Sequence, residues 1–84
     1  MKYQVRIIPS AEKEMDKLPG LIQRRISGKL LSLENNPRPT GAKKLSDREE
    51  YRLRVGNYRV LYTIDDKGRM ATVFAIGHRR EVYR

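Results

Sequence analysis

The segment Tyr51-Arg52-Leu53-Arg54-Val55-Gly56-Asn57-Tyr58 constrains the fold more than any other stretch of the chain. Apolar Tyr51, Leu53 and Val55 alternate with Arg52 and Arg54, and a period of two marks a strand with one covered face. Gly56-Asn57 then offers a tight turn, and Tyr58 to Ile64 reads as the returning strand. Asp65-Asp66-Lys67-Gly68 closes a second hairpin onto a strand from Met70 to Ile76. The result is an antiparallel meander whose apolar side needs a cover.

The first half of the chain supplies that cover. Tyr3 to Ile8 alternates Tyr3, Val5 and Ile7 with Gln4 and Arg6, which predicts a further strand. Pro9-Ser10 ends it, and Ser10 is the expected N-cap of a helix beginning at Ala11. Ala11, Met15 and Leu18 share one helical face before Pro19-Gly20 interrupts. Ile22, Ile26, Leu30 and Leu33 then recur at helical spacing, with Leu21 and Leu31 widening the stripe. Asn35 to Gly41 is a loop by composition, continued through Lys43, Lys44, Ser46 and Asp47, with Leu45 as its single anchor to the core. The expected fold is α+β in the order β-α-α-β-β-β. At 84 residues, positions 1–84 form one domain.

Much conventional chemistry is excluded. The chain has no cysteine, so disulfides and thiolate metal sites are absent, and His78 is its only histidine. No glycine-rich phosphate loop and no G-x-S-x-G elbow occurs. Asp65 and Asp66 lie in a turn sequence between two strands, so they read as hairpin residues rather than a metal pair. Glu49 and Glu50 precede a strand and read as solvated. No window approaches the ~20 apolar residues of a membrane span, and no signal-peptide stretch opens the chain, so the expected location is the cytoplasm.

Charge carries the functional signal. Nineteen Lys and Arg against ten Asp and Glu leave a net charge of +9. Neutralising phosphates releases condensed counterions, so such an excess favours a polyanionic partner. The alternative is a solubilising surface, or one covered by an acidic protein. Arg52 and Arg54 project from one strand face. Arg59 follows the turn, close to Arg54, and Arg79, Arg80 and Arg84 cluster after the last strand. Clustered guanidiniums repel unless an anion lies among them, which points to an anion site. Lys13, Lys17, Arg24, Arg25 and Lys29 in the first half read equally as a solvated helix face or as contacts to an RNA backbone. Tyr51, Tyr58 and Tyr62 read as packing residues.

The run from Tyr51 to Tyr62, followed by Ala75-Ile76-Gly77-His78-Arg79-Arg80-Glu81-Val82-Tyr83, resembles the RelE branch of the RelE/ParE toxin superfamily. The resemblance extends over essentially the whole chain. It implies a compact RelE-like fold and the toxin of a type II toxin–antitoxin pair, partnered by a cognate acidic, RelB-like antitoxin. RelE-type toxins cleave messenger RNA in the ribosomal A site through the substrate's own 2′-hydroxyl, leaving a 2′,3′-cyclic phosphate and inhibiting translation. By that resemblance the catalytic residues are Arg52, Arg54, Arg59, Arg79 and Tyr83. His78, Arg80, Lys43 and Lys44 extend the RNA-binding surface, and neither metal nor cofactor is implied. The best-known members carry lysine where this chain has Arg52 and Arg54. Arginine stays protonated, so a proton acceptor has to be Tyr83, His78 or solvent. A ParE-like poison of DNA gyrase and a non-catalytic RNA-binding or repressor module are the rival readings.

Overall fold

The computed structural model describes residues 2–45 and 49–78. They form β1 (Gln4–Ile7), α1 (Pro9–Asp16), α2 (Gly20–Leu33), β2 (Lys43–Lys44), β3 (Glu50–Val55), β4 (Tyr58–Asp65) and β5 (Met70–His78). The expected α+β succession is present. β3, β4 and β5 make the meander, with Tyr51 opposite Tyr62, Leu53 opposite Val60 and Val55 opposite Tyr58. Gly56 has a φ of +61°, as the first central residue of a type II′ hairpin turn requires.

Two features of the sheet go beyond the expectation. Its five strands are ordered β1-β5-β4-β3-β2, and β1 pairs in parallel with β5, Gln4 against Met70 through Ile7 against Val73. The sheet is therefore mixed. At the other edge Lys43 and Lys44 form the short strand β2 against Arg52 and Tyr51, where a loop was expected. Two lysines carry no apolar period to betray a strand, but charged residues suit an edge that must not recruit another chain.

α1 and α2 cover one face of the sheet. Ala11, Ile26 and Leu33 are fully buried with Val60, Tyr62, Ala71 and Val73, and Leu53, Val55 and Ile76 close the same core. Helix α1 starts at Pro9, not Ala11, and its N-cap is Ile8 in an extended conformation with no side-chain cap. Proline at the first helical position has its φ preset and lacks only an amide that would go unused, so Ser10 is drawn into the first turn. Leu21 and Leu31 do not widen the buried stripe: they are 64% and 63% exposed. At 100° per residue both fall on the side of α2 turned away from Ile26 and Leu30. Nor is Leu45 the anchor of the loop. Ala42 packs on the core and Pro37 is buried, while half-buried Leu45 is held through its amide to the Glu50 carbonyl (2.8 Å).

A bulge between Leu61 and Tyr62 in the β4–β5 ladder lets both Val73 and Ile76 face the core although three residues apart. Beyond it β1 no longer reaches, and the Ile76 amide donates instead to Glu14 Oε1 of α1 at 3.0 Å. A helix side chain thus replaces a strand partner.

The 35–41 loop is fastened by Arg38, whose place between two prolines gave no hint of its role. Its Nε donates to the Tyr51 hydroxyl (2.9 Å), Nη2 to Asp66 Oδ2 (2.9 Å) and Glu49 Oε2 (3.3 Å), and Nη1 to Asp66 Oδ1 (3.2 Å). Tyr3 donates to Asp66 Oδ1 and Tyr51 to Glu49 Oε2. Glu49 is thus engaged rather than simply solvated, and Asp66 does more than turn the hairpin. The Arg38 guanidinium and the Tyr3 hydroxyl hold Asp66 below its ordinary value of 3.8. The Tyr51 hydroxyl, then Arg38, holds Glu49 below 4.5. Depressed carboxylates stabilise the fold fully above their unfolded values and cease to do so as pH falls through the folded ones. Arg38→Ala should therefore lower the thermal midpoint by about 4–8 °C near neutral pH, and the gap from wild type should shrink below the ordinary carboxylate range. A gap that stays constant into acid would refute this account of the clamp.

Candidate nucleic-acid interface

The face of the sheet opposite the helices is built by strand parity. Directly opposed residues of an antiparallel pair project to the same side. Arg54 opposes Arg59, which opposes Gly77, and Lys43 opposes Arg52, which opposes Leu61 and then Ala75. Lys43, Arg52, Arg54 and Arg59 therefore occupy one surface across β2, β3 and β4. Gly77 and Ala75 rise little above the backbone, leaving the β5 side of this surface low. Farther along the same face come Glu50 opposite Thr63, and Asp65 opposite Met70. The face carries its clustered cations at the end bearing the Gly56 turn, while the other end mixes Glu50 and Asp65 with Arg6, which opposes Thr72.

The arginines differ in setting. Arg54 is exposed and Arg52 half-buried, while Arg59 keeps only 7% of its surface exposed. Nε of Arg52 and Nε and Nη1 of Arg59 are closed to solvent. A guanidinium held this way has lost much of its rotamer freedom before any ligand arrives and acts through a lower dielectric than a solvated one. Arg54 directly against Arg59 brings like charges together, which costs stability in the absence of an anion. Such a surface can hold a phosphodiester and stabilise extra charge on its non-bridging oxygens.

The other residues expected in the site are distributed unequally. Lys44 lies opposite Tyr51, on the alternate parity from Lys43, with its Nζ 3.8 Å from Glu49 Oε1. His78 opposes Tyr58, on the parity of Val55, and its ring meets the Tyr58 ring edge-on at 5.7 Å. The register thus sets His78 with the helix-bearing side and not beside Arg52, Arg54 and Arg59. Arg79, Arg80 and Tyr83 lie outside the described residues, as do Ser46, Asp47 and Arg84. Of the tyrosines read as packing residues, Tyr62 is fully buried, stacks on Tyr51 at 5.8 Å and donates to the Pro37 carbonyl at 2.7 Å.

Residues 5–83 match the family of ParE toxins of type II toxin–antitoxin systems. The chain is 33% identical over 81 residues to a RelE-like toxin protein of Escherichia coli, covering 94% of this chain and 85% of that one. It is 31% identical over 88 residues to the toxin RelG of Mycobacterium tuberculosis, covering 100% and 99%. Among solved structures it is similar to a chain of the RelBE2 toxin–antitoxin complex of M. tuberculosis, with a TM-score of 0.82, 28% identity, and coverage of 94% and 100%. The order of strands, the helical cover and these likenesses over nearly its full length agree: the chain belongs to the RelE/ParE superfamily of toxins of type II toxin–antitoxin systems.

Proposed function

We propose that this toxin is a ribosome-dependent endoribonuclease that cuts messenger RNA in the A site and so inhibits translation. The observation that carries the reading is the cationic end of the outer face, where Arg52, Arg54 and Arg59 stand beside Lys43. The substrate's 2′-hydroxyl attacks the adjacent phosphorus, the P–O5′ bond breaks, and the products are a 2′,3′-cyclic phosphate and a free 5′-hydroxyl. The proton leaves the 2′-oxygen for a base and another reaches the departing 5′-oxygen. Arg52, Arg54 and Arg59, joined by Arg79, grip the non-bridging oxygens and stabilise their growing charge. Since none of these accepts a proton near neutral pH, Tyr83 is assigned the proton transfer; Lys43 and Arg80 contribute to RNA binding, as do His78 and Lys44 from the alternate parity of the sheet. The work is done in the cytoplasm, where the ribosomes are.

The partner that silences the toxin is an acidic RelB-like antitoxin. Support comes from the M. tuberculosis relative, whose structure is that of a toxin–antitoxin complex, and from the charge of +9, which an acidic chain would offset. A second reading, a ParE-like poison of DNA gyrase, is favoured by the family match to ParE toxins.

One experiment separates them. With ribosomes translating a defined message, the protein should produce cuts ending in a cyclic phosphate. A single deoxyribose immediately 5′ of the cut should abolish cleavage and leave ribosome binding intact. Trapped DNA breaks with gyrase, and an intact message, would instead establish the second reading.

A further inference from the structure

A groove of about 630 Å³ opens between α2 and the β3–β4 turn, away from the Arg52 and Arg59 surface. Arg24, Arg25 and Lys29 line it from α2, Arg54 lines it from β3, and Gly28 and Gly56 form part of its wall. Arg24, Arg25, Lys29 and Arg54 are all exposed, and none makes an ion pair with a described carboxylate. A Cβ built on Gly28 would meet nothing within 4 Å, so the wall stays open to a bulky ligand. β2 stops opposite Arg52, and among the described residues no strand pairs with this edge of β3 beyond that point. Arg54, at this edge, belongs to both surfaces: it opposes Arg59 across the outer face and lines the groove with α2.

We propose that this groove binds the phosphate backbone of single-stranded RNA, extending the strand held on the outer face around the sheet edge and along α2. The inference rests on the endoribonuclease reading for the identity of the strand, and it concerns binding rather than the chemical step. Four cations with no described carboxylate among the groove's lining repel one another, and a phosphate chain relieves that repulsion and releases counterions. Arg25 and Lys29, four apart on a helix, project side by side and can meet successive phosphates. The lining favours RNA over an acidic protein segment: beside the cations it offers Gly28, Gly56 and Ser32, with Val55 the apolar exception. A docked helix would need apolar anchors within the groove.

The test is the salt dependence of binding to a short single-stranded RNA, followed by fluorescence anisotropy between about 50 and 200 mM salt. The triple variant Arg24→Ala/Arg25→Ala/Lys29→Ala should lower the slope of log affinity on log salt by about 2, at ~0.7 per single-strand contact. The corresponding Arg24→Lys/Arg25→Lys variant should keep the wild-type slope. A thermal melt of each variant shows that the fold is retained. An unchanged slope in the triple variant overturns the proposal. So does a loss confined to duplex RNA, or an unchanged slope accompanied by weakened binding of an acidic antitoxin. The readout needs no cleavage, so a protein that binds in this way yet cuts no message would refute the endoribonuclease reading and leave the groove's RNA binding standing.

Discussion

Arg59→Ala should slow single-turnover cleavage on programmed ribosomes by about 10²–10³-fold, the loss typical of removing one preorganised group from a developing oxyanion. Arg59 is expected to matter more than Arg54 because of how each is held. Arg59 is nearly closed to solvent in the middle of the sheet, whereas Arg54 is exposed at the edge and must be ordered by the substrate. Arg59→Lys retains the charge but loses the planar fork, and should recover only part of the rate. Circular dichroism and a melt on the same preparations separate lost chemistry from lost fold. A folded Arg59→Ala protein that cleaves within a few-fold of wild type would remove Arg59 from the mechanism.

The second large effect is on stability. Tyr62 is the largest fully buried side chain among the described residues, stacked on Tyr51 and donating to the Pro37 carbonyl. Tyr62→Ala should cost about 3–5 kcal/mol, the range for deleting a buried aromatic ring, against a total of roughly 5–15 kcal/mol for a domain. It should leave the chain largely unfolded on warming. Tyr62→Phe keeps the ring and should cost about 1 kcal/mol, leaving the Pro37 carbonyl without its donor. Burial pushes the Tyr62 hydroxyl up to about 12 from an ordinary 10.0. A phenol whose folded value is raised stabilises fully below the unfolded one and ceases to as pH rises toward the folded one. Wild type should therefore lose stability above about pH 10, and Tyr62→Phe should lose less. Urea melts at neutral and alkaline pH measure both. Equal alkaline losses in the two proteins would contradict the assignment.

What could be read from the residues depended on whether a signal was local. The meander was legible because Tyr51, Leu53 and Val55 alternate with arginines up to a glycine turn, and each strand meets its neighbour in the chain. The partner of β1 was not, since alternation in Tyr3 to Ile8 says which side is covered and nothing about which strand lies alongside. β2 escaped for want of any apolar residue. Parity placed Arg52, Arg54 and Arg59 together correctly because a two-residue turn fixes register. No such local rule covered His78, which the bulge after Leu61 sets on the parity of Ile76 rather than that of Gly77. The Arg38 clamp and the groove on α2 both join residues far apart in the chain, and no spacing rule anticipates them.

The parallel seam between β1 and β5 also has a temporal side. Gln4 pairs with Met70, so the first strand waits for a partner translated 66 positions later. At ~5–20 residues per second the wait is roughly 3–13 s. Helices α1 and α2 can form locally in that interval, yet the sheet they cover lacks the strand that joins β1 to β4 until β5 emerges. Each newly made copy therefore passes through a period in which synthesis is well advanced and the sheet that carries the arginine surface is still incomplete. An antitoxin already in the cell has that period in which to reach the nascent chain before it becomes harmful.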